Sequence, residues 1–278
     1  MKDCLLGILF VVSVALVQGP TPQQLAQEAI TNGRRLAAEA PEYTADYRAI
    51  WRTYSKTGKL ENETVITGET YQSSVRNVDI ELTRNGKAIK DKDIQKRREA
   101  AGRVLQKDYE RRMQRKAEAR EKGSSTVEGT EYSTLLNNVR MDYYAILREF
   151  DLRNLRHEMR QGRDTFVLDF QPRQGYQPTR KDYSHLPSIR GSIWIDAADK
   201  VVVEWRAAIG MGPNTGRIFF EQDFEHLPDG MWAGRRLRLN QAADPILLGG
   251  RTEWINETLN RRRFGVTVEE RVQDRVER

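Results

Sequence analysis

The sequence predicts an α+β protein in which a strongly curved antiparallel sheet encloses helices. Three observations carry this. From residue 155 onward, short stretches alternate apolar and polar residues and are joined by tight turns with no helix between them. That is the signature of antiparallel neighbours, not of a doubly wound sheet. Those stretches have one greasy and one charged face, and the greasy face must be covered. Two amphipathic segments, at 21–40 and 132–155, are the available covers.

Composition sets the outer limits. The 278 residues are 38% hydrophobic and 31% charged, with mean hydropathy −0.72. This is too apolar for a disordered chain and too polar for a multi-span membrane protein. One cysteine and three histidines exclude a cysteine-based zinc site, a disulfide framework and a Cys/His cluster.

The chain opens with Lys2 ahead of an apolar run from Leu5 to Val17. The run is too short to span a bilayer and has the length of a signal-peptide core. Residues 1–19 are therefore expected to be a cleaved signal peptide, and 20–278 a single exported domain, periplasmic or otherwise secreted and soluble after cleavage. An uncleaved anchor and a buried helix are the alternatives. Cys4 precedes the run, so it is not the acylated cysteine of a lipoprotein, and the mature chain has none.

Thr21-Pro22-Gln23-Gln24 reads as a helix start, with a Thr cap, Pro at the first position and Gln closing a capping box. Leu25, Ala29, Ile30, Gly33, Leu36, Ala37 and Ala40 follow at helical spacing, and Pro41 stops the run. Residues 47–90 read as strands. Tyr47, Ala49 and Trp51 alternate with Arg48, Ile50 and Arg52, and stretches 64–71 and 75–83 are rich in Val, Ile, Thr and Tyr. Lys56-Thr57-Gly58-Lys59 and Arg84-Asn85-Gly86-Lys87 are the turns, the second a strong hairpin signal.

Residues 91–122 differ from everything else. The segment lacks Pro, is dense in Lys, Arg, Glu, Gln and Ala, and carries a thin apolar stripe: Ile94, Ala101, Leu105, Tyr109, Met113. A long helix is expected, with Glu99–Arg103, Asp108–Arg112 and Glu118–Lys122 as i, i+4 pairs. From Lys96 to Lys122 the net charge is +6, equal to that of the whole chain. A solvated helix is the plain reading. A surface for anionic lipid headgroups or an acidic partner is the sharper one, with Arg97, Arg98, Arg111, Arg112, Arg115 and Lys116 as candidates. Nucleic acid is not expected, because the segment has one tyrosine and no stacking platform.

Residues 132–155 read as a helix with Leu135, Leu136, Val139, Tyr143, Ile146, Leu147 and Phe150 on one face. Strands are then expected at 165–170 after a turn at 161–164, and at 191–196, 201–209, 216–224, 232–240, 246–254 and 262–269. In these, Val201, Val203, Trp205, Ala207 and Ile209 should share a face opposite Glu204 and Arg206. Leu237 and Leu239 should oppose Arg236 and Arg238.

No catalytic constellation appears. His157, His185 and His226 are far apart and lack metal-ligand spacing. There is no nucleophile elbow and no phosphate-binding loop. Gly210-Met211-Gly212-Pro213-Asn214-Thr215-Gly216 has the wrong spacing for a dinucleotide site. Asp196, Asp199 and Asp229 sit beside turns, where Asp serves backbone hydrogen bonds, and Arg261-Arg262-Arg263 reads as a solvated strand end. The expectation is a non-enzyme without cofactor or metal. Asn62-Glu63-Thr64 and Asn256-Glu257-Thr258 are glycosylation sequons, relevant only in a eukaryotic secretory pathway.

Leu186-Pro187-Ser188-Ile189-Arg190-Gly191-Ser192-Ile193-Trp194-Ile195-Asp196 with Val201-Val202-Val203-Glu204 resembles a stretch of exported bacterial outer-membrane lipoprotein-sorting (LolA-like) proteins. Phe219-Phe220-Glu221-Gln222, Leu227-Pro228-Asp229-Gly230-Met231-Trp232, Arg236-Leu237-Arg238 and Asn85-Gly86-Lys87 are similar too. The resemblance implies an incomplete antiparallel barrel, a half-barrel, with helices across its concave face. It also implies a cavity that holds an acyl chain, a lipid or a lipidated protein. Trp194, Val203, Trp205, Ile218, Phe220 and Leu237 are the candidate lining residues. The long basic helix at 91–122 is an insertion in that plan. The competing expectation is an envelope interaction module that uses this helix.

Overall fold

The computed structural model describes residues 19–39, 43–72, 77–121, 134–136, 139–141, 143–177, 188–210, 217–242 and 250–263. The expected signal peptide, Pro41, His185, the loop 211–216 and the expected strand beyond 263 lie outside them.

Helix α1 (Pro22–Glu39) starts at the expected capping box. The Gln24 N–H donates to Thr21 Oγ1 at 3.2 Å, and the Thr21 N–H donates to Gln24 Oε1 at 2.8 Å. Strands β1 (Tyr43–Tyr54), β2 (Leu60–Gln72), β3 (Asn77–Arg84) and the short β4 (Lys87–Ala88) follow. The β3–β4 turn is built by Asn85 and Gly86, both at positive φ (50° and 75°), where Asn and Gly are tolerated best. Helix α2 (Asp91–Glu121) covers the expected charged segment.

The expected helix over 132–155 is shorter than its pattern. Thr134–Leu136 (β5) and Val139–Met141 (β6) pair as a small separate sheet, and α3 spans only Tyr143–Glu149. Tyr143 to Leu147 are all buried. Five consecutive buried residues present no amphipathic repeat, so the period in the sequence misplaced the helix ends. Strand β7 (Asp151–Arg160) was hidden for a second reason. It has a register shift between Arg153 and Arg156, with Asn154 at φ 53°, which breaks its alternation.

The remaining strands are β8 (Arg163–Gln171), β9 (Ile189–Asp196), β10 (Val202–Gly210), β11 (Arg217–His226), β12 (Trp232–Ala242) and β13 (Arg251–Arg263). β13 runs unbroken through 254–262, where two strands were expected. Its polar middle pairs on both sides, with β1 and β12. Among the described residues, eleven strands form one antiparallel sheet in the order β4-β3-β2-β1-β13-β12-β11-β10-β9-β8-β7. The ends, β4 and β7, do not pair with each other, so the barrel is open. This is the curved half-barrel with helices that the resemblance implied.

The main core lies between the helices and one half of this sheet. Leu25, Ala29 and Ile30 of α1 and Tyr144, Ile146 and Leu147 of α3 meet Phe166, Leu168, Ile193, Ile195, Trp205 and Phe220. Rings lock it: Trp205 and Phe220 have centroids 4.3 Å apart, and Tyr143 lies 6.0 Å from Phe224. Fully buried aromatic area of this kind dominates core energetics.

α2 sits elsewhere. Its first half packs Ala101, Ile94 and Leu105 against Tyr71, Ile80, Val78 and Leu82. Cross-strand pairs place Ile80 beside Glu69, Glu69 beside Asp46, and the next pairs of that face at Arg48–Glu257, Glu257–Arg236, Arg236–Asp223 and Asp223–Glu204. That is the face opposite Trp205. α2 therefore rests on the outer, charged face, and α1 and α3 on the inner one.

Candidate functional site

The inner face is read most directly as rows of side chains running across the strands. One row passes Ala207, Phe220, Leu239, Trp254, Trp51 and Thr64, each facing the next in register from β10 to β2. A neighbouring row passes Trp205, Gln222, Leu237, Asn256, Ala49 and Ile66. At the β10–β11 end these rows are sealed beneath the helices, with Trp205 at 0% and Phe220 at 2% exposure. Leu237 and Leu239 are half-buried at the margin of that cluster, and among the described residues none of the cluster comes from β13, β1 or β2. Trp51, further along the first row, is 50% exposed. The sheet thus carries one continuous apolar strip that emerges from under its helices and ends on two facing tryptophans.

Four of the six expected lining residues fall on this strip or its buried root. Trp205 and Phe220 are core, and Ile218 and Leu237 lie at its edge. Trp194 and Val203 form a separate cluster with Val167 and Val201. On β8 and β9, Val167 and Trp194 alternate with the core residues Phe166, Leu168, Ile193 and Ile195, so they point outward. Val203 joins them because β10 has a register shift between Val202 and Glu204. The bulge puts Val202, not Val203, into the core with Trp205, so the expected five-residue alternation from Val201 does not hold. Sequence reasoning missed Trp51, Trp254 and Leu239 as strip residues. The alternation of Tyr47, Ala49 and Trp51 was visible, but which strands it would align with was not.

The outer face is held by charge. Glu253, 3% exposed, accepts from Arg238 at 2.7 Å, from Arg52 at 3.3 Å and from Tyr54 at 3.1 Å. Burial alone would raise its pKa; the Arg238, Arg52 and Tyr54 bonds outweigh this and hold it below the usual carboxylate range. Asp223, 2% exposed, is bracketed by Arg235 and Arg236, each at 3.1 Å. Arg261 is not a solvated strand end as expected. Its side chain is buried, with the guanidinium on the Glu225 carboxylate and the Gly234 carbonyl, while Arg262 is exposed.

At the β9–β10 turn, Asp196 accepts from the Ala198 and Asp199 N–H groups at 3.0 and 2.8 Å, as its position implied. Asp229 does the same for the Met231 N–H. Asp199 instead binds side chains, accepting from Arg163 at 2.8 Å and from Trp232 Nε1 at 2.9 Å.

Of the basic candidates on α2, Arg97 and Arg98 meet carboxylates of the sheet: Arg97 with Glu81 at 3.1 Å and Arg98 with Glu69 at 2.8 Å. They dock the helix. Arg111 is exposed, and the side chains of Arg112, Arg115 and Lys116 lie outside the described residues. Among the described residues no group of three His, Cys, Asp or Glu could hold a metal, and no helix is long and apolar enough to cross a membrane.

No family model matches the chain, and no curated protein does. Among solved structures it is similar to a putative outer membrane lipoprotein-sorting protein domain from Vibrio parahaemolyticus (12% identity, 91% of this chain and 100% of that one, TM-score 0.38). It is also similar to a LolA superfamily protein from Nitrosomonas europaea (9% identity, 90% and 97%, TM-score 0.37). A third similarity is to a DUF1329 family protein from Desulfovibrio piger (12% identity, 87% and 93%, TM-score 0.31).

Proposed function

We propose that this protein is a non-catalytic binder of an acyl chain, carried by a lipid or a lipidated protein in an exported, periplasmic setting. The observation that supports it is the strip Phe220–Leu239–Trp254–Trp51, buried at one end and open at the other. An acyl chain laid along it removes apolar surface from water at about 0.8 kcal/mol per CH₂. The cluster beneath the helices is filled core, so the chain is taken by the β12–β13–β1 part of the inner face.

The test is lipid extraction and mass spectrometry on the full chain purified from an envelope fraction. Trp51→Glu should abolish copurifying acyl-chain lipid. Phe219→Glu, an equally exposed aromatic (46%) on the outer face, should leave it unchanged. Equal retention in both variants sinks the reading.

A second reading is favoured by α2. Its described side chains from Lys107 onward are exposed, Met113 at 48%. A half-docked basic helix suits an acidic protein partner or an anionic membrane surface. Charge reversal at Arg103, Lys107 and Arg111 would then abolish binding while Trp51→Glu would not.

A further inference from the structure

A pocket of about 420 Å³ lies between α1, α3, the start of β7 and the segment after β8, away from the strip. Gln23, Ala26, Gln27 and Ile30 of α1 form one side of it. Arg148, Arg153 and Arg173 line it together with one acidic residue, Asp151. The arrangement is organised, not random. Arg153 donates to Asp151 Oδ2 at 2.9 Å, and Arg173 Nε lies 3.9 Å from Asp151 Oδ1. Arg173 also donates to the Arg148 carbonyl at 3.5 Å. With its amide turned to satisfy both ends, Gln171 accepts from Arg153 at 3.2 Å. One carboxylate therefore orients two arginines from its two oxygens, leaving the Arg153–Asp151–Arg173 group with more positive than negative charge.

From this geometry we infer that the pocket binds a phosphate or carboxylate group. Guanidinium forks recognise such anions in bidentate fashion, and Asp151 reduces the ordering needed at the moment of binding. The anion is either free or the headgroup of an anionic lipid; the chemistry is shared. The inference does not depend on acyl-chain binding at Trp51.

Two probes separate the sources: inorganic phosphate followed by calorimetry at low salt, and vesicles of phosphatidylglycerol against phosphatidylcholine followed by sedimentation. The variant is Arg153→Gln with Arg173→Gln, both about half exposed (57% and 59%), so the fold should persist with an unchanged melting temperature. The control removes the same charge elsewhere, Arg190→Gln with Arg217→Gln, both exposed. Phosphate binding weakened tenfold or more in the variant but not in the control supports a free-anion site. The same loss seen only with phosphatidylglycerol vesicles supports a headgroup site. Wild-type, variant and control proteins that behave alike with both probes overturn the inference.

Discussion

Trp51 and Trp254 face each other across the β1–β13 ladder, on the same side of the sheet as the buried Phe220. The same cross-strand row thus serves as core at one end and as surface at the other. Truncating Phe220 to Ala should cost about 3–5 kcal/mol, as for other buried aromatics. Trp51→Glu should cost under about 1 kcal/mol, because its ring already meets water. Urea titrations of the two variants check this. A large loss from Trp51→Glu would mean that the ring is structural.

Gly33 of α1 packs against Tyr144 of α3. A β-carbon at 33 would collide with the Tyr144 hydroxyl, which is fixed in a side chain only 1% exposed. Alanine is the better helix former by about 1 kcal/mol, yet Gly33→Ala should destabilise by about 1–3 kcal/mol through overpacking. Pairing it with Tyr144→Phe should recover part of that loss in a double-mutant cycle. Stabilisation by Gly33→Ala alone would show that α1 and α3 separate easily.

Arg98 holds α2 to the sheet through Glu69, a carboxylate 5% exposed. Arg98→Ala leaves that charge buried beside Tyr71 and Ile80 and should cost about 2–4 kcal/mol. Arg98→Met with Glu69→Gln should cost less than the single change. Amide exchange along 91–105 should rise in Arg98→Ala while the β8–β11 amides stay protected. Unchanged exchange would place the anchoring in Ala101 and Leu105.

Acid should loosen the outer face. Burial pushes the Asp196 pKa up, but the Arg163 bonds and the Asp199 and Ala198 N–H groups more than reverse this, so it lies below the usual range. Glu253 behaves alike. A carboxyl with a depressed folded pKa binds fewer protons folded than unfolded. Its stabilisation is complete above the unfolded value, about 4, and falls away as pH drops towards the folded one. Asp196→Asn should be less stable at pH 7 and should show a flatter loss of stability below about pH 4. Parallel acid-unfolding profiles for variant and wild type would contradict this.

What local chemistry determines was legible. Thr21 and Gln24 marked the start of α1, Asn85-Gly86 marked a hairpin, and the charged run of 91–122 marked α2. What depends on register was not. The Val203 bulge turns one valine outward with no change in composition, and the Asn154 irregularity disguises β7. Trp51 and Trp254 are distant in sequence and become neighbours only when β13 finds β1. The open strip and the Arg153–Asp151–Arg173 pocket arise from such non-local alignment.

The position of β13 also bears on how the chain comes together. It fills the gap between β1 and β12, so the first and last of the described strands meet near the middle of the sheet. Until residues 251–263 arrive, β1 and β12 each present a bare edge, one belonging to the N-terminal block and one to the C-terminal block. Joining them requires closing a loop from Tyr54 to Arg251, a search that is slow for any polypeptide. A ribosome-bound chain would therefore hold two unjoined half-sheets, with exposed edges that suit a chaperone or invite aggregation.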